Sequence, residues 1–68
     1  MTDETEVGLR LRALRKSAGL SQRELAKKIM VSTAAITNYE TGIRVPRDEI
    51  KIRIADFFEK TVQEIFFD

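Results

Sequence analysis

This 68-residue chain contains no cysteine and no histidine. Without cysteine, neither a disulfide nor a thiolate metal site can staple the fold. Lacking histidine, it has neither the commonest general base nor the commonest metal ligand. Long apolar stretches are missing too: the longest unbroken run is three residues, as in Ile65-Phe66-Phe67, far short of a membrane span. The first six residues, Met1-Thr2-Asp3-Glu4-Thr5-Glu6, are acidic and polar, the opposite of a signal peptide. No glycine-rich phosphate loop or nucleophile elbow is present, and so short a chain leaves little material for a substrate cleft. Together these absences argue against an enzyme, with no cofactor, metal or membrane expected, and point to the cytoplasm.

What is present is 43% hydrophobic and 34% charged residues, the balance of a folded, helix-rich domain with a small core. The net charge of +1 conceals a segregation. Residues 1–9 carry three acids and no base. Residues 10–47 carry nine bases (Arg10, Arg12, Arg15, Lys16, Arg23, Lys27, Lys28, Arg44, Arg47) against two acids, a surplus of seven. Residues 48–68 carry six acids against three bases. The basic middle is the electrostatic footprint of a phosphate-contacting surface. A solvated helix surface would account for many of these bases individually, Lys16, Arg23, Lys27 and Lys28 above all.

Periodicity and capping signals predict five helices, an all-α architecture. An acidic tail over residues 1–5 precedes a single domain over 6–67. The first helix covers about Glu6–Ala18, with Val7, Leu11, Leu14 and Ala18 inward, and Gly19 closes it at a left-handed cap. Ser21 and Glu24 form a capping box for the second, whose inward residues are Leu25, Ala26 and Ile29. Ser32 caps the third, with Ile36, Tyr39 and Ala35 inward and Gly42 at its end. Ile43-Arg44-Val45-Pro46 is a loop. The fourth helix covers about Arg47–Phe58 with Ile50, Ile54, Ala55 and Phe58 inward. Thr61 and Glu64 make a second capping box for a short fifth helix through Val62, Ile65 and Phe66.

Two short helices joined by a tight turn, the second with a small, polar, uncharged outer face, suit insertion into the major groove of DNA. On the third helix, Thr33, Ala34, Thr37 and Asn38 fall opposite Ile36 and Tyr39. They are the candidate base-readers: an asparagine amide matches adenine N6 and N7, and alanine or a threonine methyl can meet the thymine methyl. The plain alternative for them is an exposed helix surface. Ser21, Gln22 and Ser32 stand at helix N-termini, where unpaired N–H groups and the dipole attract phosphate. Ile52, Phe57, Phe66 and Phe67 exceed what a small core needs, which suggests an apolar surface for a second copy or another protein.

The pattern Gly8…Leu11…Leu14-Arg15…Gly19-Leu20-Ser21-Gln22…Leu25-Ala26…Val31-Ser32…Ile36…Glu40…Gly42…Pro46…Ile54-Ala55…Phe58…Val62…Ile65 resembles the lambdoid phage repressor/Cro family, also called Xre-like helix-turn-helix regulators. The resemblance extends over about Val7 to Phe66. It implies a compact five-helix lambda-repressor-like domain with the helix-turn-helix in helices 2 and 3. Double-stranded operator DNA is the implied ligand, bound at a two-fold symmetric site by a homodimer. It also implies that Gln22 holds the DNA backbone and that Arg44 and Arg47 reach phosphates; Thr41 and Gly42 could offer backbone N–H groups there. An ion pair between Arg15 and Glu40 is implied as a brace between the first helix and the end of the third. A bacterial or phage-encoded repressor without a small-molecule effector is the expectation. An antitoxin-like module whose main partner is a second protein is the alternative. Met30 stands where the family most often has glycine, and a left-handed backbone there costs methionine about 1 kcal/mol relative to glycine.

Overall fold

In the computed structural model, which describes residues 4–67, the order is α1 (Glu4–Ser17), α2 (Gln22–Ile29), α3 (Thr33–Thr41), α4 (Asp48–Phe57) and a closing π-helical turn, Gln63–Phe67. The described residues contain five helical elements and no strand. Helix α1 starts earlier than its apolar spacing suggests, so Glu4 and Thr5 of the expected tail are helical. Residues 1–3 of that tail lie outside the described residues. At its other end α1 stops at Ser17, which leaves Ala18 exposed in the following turn instead of buried.

That turn sets the end of α1. The N–H of Leu20 donates to the Arg15 carbonyl (3.1 Å) and that of Gly19 to the Lys16 carbonyl (2.9 Å), with Gly19 at φ +72°. This is a Schellman ending, in which a left-handed residue lets two N–H groups reach back to the last turn. The same pair of bonds closes α2, from Val31 to Ala26 (3.0 Å) and from Met30 to Lys27 (3.4 Å). It closes α4 as well, from Lys60 to Ala55 (2.9 Å) and from Glu59 to Asp56 (3.2 Å). The left-handed position is glycine only in α1; Met30 (φ +59°) and Glu59 (φ +55°) occupy it in the other two.

Helix starts follow the capping signals. Ser21 Oγ accepts from the Glu24 N–H (3.0 Å) while Glu24 Oε1 accepts from the Ser21 N–H (2.9 Å). These bonds to Ser21 hold the Glu24 carboxyl below its ordinary pKa, because they favour its charged form. Thr61 and Glu64 make the same reciprocal pair (3.0 and 2.9 Å). Ser32 Oγ accepts from the Ala35 N–H (3.0 Å) and starts α3. Helix α4 begins two residues after the buried Pro46 with no side-chain cap, but Asp48 and Glu49 in its first turn complement the helix dipole.

The core gathers Leu11 from α1, Leu25 and Ile29 from α2, Ile36 from α3, Ile54 from α4, and Ile65 from the closing turn. Helix α1 packs on α3, α2 on both α3 and α4, and α1 on the closing turn. Leu14, Tyr39 and Phe58 are half-buried at the margin. Phe66 is 4% exposed and belongs to this core, which removes it from the expected apolar surface. The closing turn is short enough that Ile65 and Phe66 must both point inward to seal the bottom of the bundle. Arg10 ties it down by donating to the Ile65 carbonyl (3.2 Å), and the Lys51 ammonium lies 5.7 Å from the Phe66 ring centre.

Gly8 sets the distance between α1 and α3. A Cβ there would fall 2.3 Å from the Glu40 carbonyl oxygen and 2.7 Å from that of Tyr39. Only glycine lets the two helices meet this closely, which places the C-terminal end of α3 directly against α1.

Candidate nucleic-acid interface

Helices α2 and α3 form the helix-turn-helix, and the turn between them is Met30-Val31-Ser32. The Met30 backbone is left-handed at φ +59°, ψ +48°, and its side chain is 73% exposed. The backbone thus follows the geometry that glycine would serve, and methionine bears the strain. Its largely exposed side chain gives back little packing in exchange.

Helix α3 carries no acidic residue in its first turn and no basic residue in its last. Thr33 and Ala34 are exposed; Thr37 and Asn38 are half-buried; Ile36 and Glu40 face the interior. Among the described residues, no hydrogen bond engages the Asn38 amide, so its donors and acceptor are free. Arg44 and Arg47 are exposed in the segment after α3, and the Arg44 N–H donates to the Asn38 carbonyl (3.2 Å). Together with Arg53 they edge a cleft of about 380 Å³ whose floor includes Val31, Tyr39 and Ile50.

Beneath that surface lies a polar chain that joins three helices. Arg15 Nε donates to Glu40 Oε2 (2.6 Å) and its Nη2 to Glu40 Oε1 (3.0 Å), a two-pronged fit of guanidinium to carboxylate. The side chains are 10% and 3% exposed. The remaining Arg15 prong, Nη1, donates to the Leu20 carbonyl (2.8 Å). The hydrogen bonds to Glu40 and its charge raise the Arg15 pKa against the opposing effect of burial, so this arginine stays charged. Gln22 adds a third donor to the carboxylate, Nε2 to Oε1 (3.1 Å), and its own Oε1 accepts from the Thr37 hydroxyl (2.9 Å). The brace expected between Arg15 and Glu40 is therefore one half of a longer relay. Its other half, Gln22 to Thr37, carries no strong sequence signal, because both residues read as surface-facing.

Several expected phosphate contacts have internal duties. Ser21 and Ser32 use an oxygen lone pair in their caps, which leaves each hydroxyl proton free to donate outward. Gln22 retains one N–H. The Thr41 hydroxyl donates to the Thr37 carbonyl (2.9 Å), which engages its side chain within α3.

Of the expected apolar surface, Ile52, Phe57 and Phe67 are 53%, 37% and 57% exposed. They are not one stripe. Five residues of α-helix separate Ile52 from Phe57, a rotation of about 140°. Phe57 leans toward α2, where it shares a cleft with Ile29 and Met30, while Phe67 stacks under the Lys51 ammonium at 5.0 Å. Arg53 was not singled out by sequence. It donates to the Ile29 carbonyl (3.3 Å) and to Glu49 Oε1 (2.7 Å), tying α4 to the end of α2.

Among the described residues, no helix is long and apolar enough to cross a membrane, and no cluster of metal-ligating side chains occurs. Comparison with known proteins agrees with the geometry. No curated protein sequence matches the chain. The crystal structure of the clp gene regulator ClgR from C. glutamicum shares the fold, with a TM-score of 0.79 at 24% identity, over 91% of this chain and 80% of that one. The helix-turn-helix family model HTH_3 matches residues 11–65, from the buried Leu11 of α1 to the buried Ile65 of the closing turn. The chain belongs to this Xre-like helix-turn-helix family and is a DNA-binding transcriptional regulator.

Proposed function

We propose that this regulator is a repressor that binds a two-fold symmetric operator as a homodimer, with α3 of each copy in the major groove. The observation that carries this reading is an uncharged helix face lying in a strongly basic segment and held from behind by a buried ion pair. Thr33, Ala34 and Asn38 are open to base edges, with Thr37 between them. Phosphates are gripped by the free hydroxyl protons of Ser21 and Ser32, the spare N–H of Gln22, and the exposed Arg44 and Arg47. Such contacts fix register and orientation and carry no sequence information of their own. Thr41, whose hydroxyl is engaged by the Thr37 carbonyl, joins this set only through its backbone.

Repression follows from occlusion of the duplex by two domains set about one helical turn apart. A dimer would hold its two recognition helices about 34 Å apart, one helical turn of DNA. Ile52, Phe57 and Phe67, like Leu9, Ile43 and Val45, are exposed apolar groups from which a second copy would draw its contact.

The test is selection of bound sequences from random duplex DNA, with the bound complex sized. The expected result is a two-fold symmetric site carrying two chains, with half-sites about 10 base pairs apart. A single asymmetric half-site occupied by one chain would remove the dimer. Indifference to DNA at low salt, with tight binding of another protein, would support the antitoxin-like module instead.

A further inference from the structure

The polar relay beneath α3 has a direction. The Glu40 carboxylate can only accept, so the nitrogen of the Gln22 amide must face it, as the 3.1 Å bond shows. That turns the amide oxygen toward Thr37, where it accepts the hydroxyl proton at 2.9 Å. Among the described residues, that hydroxyl has one further hydrogen-bond acceptor, the Thr33 carbonyl at 3.3 Å, also within the chain. A threonine hydroxyl has one proton, and here either rotamer keeps it inside. With its proton held within the chain, what Thr37 Oγ1 has left to offer a ligand is lone pairs.

We infer that Thr37 meets DNA as an obligate hydrogen-bond acceptor, and that the base facing it carries an exocyclic amino group. Adenine N6 and cytosine N4 are the two such groups in the major groove. Guanine presents only N7 and O6 there, and thymine only O4 and a methyl. Either would bring acceptor against acceptor unless the Thr37 proton left Gln22, which would strand the amide oxygen at a closed interface. A threonine free to rotate would accept or donate and so discriminate weakly. The relay removes that freedom. Arg15, Glu40 and Gln22 are positioning residues in this account, with Arg15 clamping the carboxylate that orients the amide. The inference rests on the reading of α3 as the base-contacting helix.

The experiment measures relative affinities of the chain, and of Thr37→Val and Gln22→Leu, for duplexes carrying each base at every position of the selected site. Folding of each variant is checked by circular dichroism. At one position the unaltered chain should favour adenine or cytosine over guanine and thymine by about three- to ten-fold. Thr37→Val keeps the shape and loses the hydroxyl, so it should erase that preference there and nowhere else. Gln22→Leu should weaken every duplex and narrow the same ratio only in part, because the hydroxyl loses its shorter bond (2.9 Å) and keeps the longer one to the Thr33 carbonyl (3.3 Å). Guanine or thymine preferred at the position sensitive to Thr37→Val would overturn the inference while leaving α3 as the reading helix. So would a Thr37→Val variant with unchanged preferences throughout. Failure of the unaltered chain to discriminate any sequence would instead overturn the reading of α3 itself.

Discussion

Two residues show how much of this fold hangs on backbone geometry at single positions. Met30 holds a left-handed conformation that opposes its Cβ, and its largely exposed side chain returns little packing energy. Met30→Gly should therefore stabilise the domain by about 0.5–1 kcal/mol, the relieved strain exceeding the added freedom of the unfolded chain. Chemical denaturation reads this directly, and a loss of stability would mean that the methionine makes a contact of value. Gly8 presents the opposite case. Its missing Cβ would sit 2.3 Å from the Glu40 carbonyl, so Gly8→Ala must push α1 and α3 apart. A destabilisation of about 2–3 kcal/mol is expected, together with weaker DNA binding as α3 shifts. Unchanged melting would show that the helices can separate freely. Met30 was legible in the sequence as a glycine position occupied by something else. Gly8 was legible only as a glycine inside a helix, because what it approaches comes from α3, thirty-odd residues away.

At the scale of elements, local signals were the reliable ones. Ser21 with Glu24, Ser32, and Thr61 with Glu64 all start helices where the sequence places them, since a cap depends on residues within one turn. Helix ends were less legible. Glu59 carries the left-handed ending of α4 without any glycine signal, and α1 releases Ala18 because the Schellman bonds from Gly19 and Leu20 end it at Ser17. Phe66 was misread as surface because its neighbours in sequence, Ile65 and Phe67, point in different directions from a tight closing turn. The link between elements that matters most is the Arg15–Glu40 pair, which joins α1 to the last turn of α3. Glu40→Ala leaves a buried guanidinium without its partner and Gln22 without its anchor. It should lower stability by about 3 kcal/mol and weaken DNA binding. Near-native melting together with unchanged affinity would show that the brace does not position α3.

For the molecule as a whole, charge and rigidity divide the labour. The seven-charge surplus of residues 10–47 draws the domain toward phosphate, and the acidic ends keep the total near neutrality. In the proposed reading, the uncharged face of α3 discriminates between bases, held by a relay that begins in α1. The helix-turn-helix and its basic setting were visible in the sequence. The relay was not, since Gln22 and Thr37 acquire their partners only when α2 and α3 cross. The central claim, that α3 reads bases while the following segment grips phosphate, is tested most directly by comparing Asn38→Ala with Arg44→Ala on the selected site. Asn38→Ala should cost about 1–3 kcal/mol on the preferred site and relax selectivity at one base pair. Arg44→Ala should weaken all duplexes alike and reduce the salt dependence by about one ion. An Asn38→Ala variant with the same site preference as the unaltered chain would contradict the account.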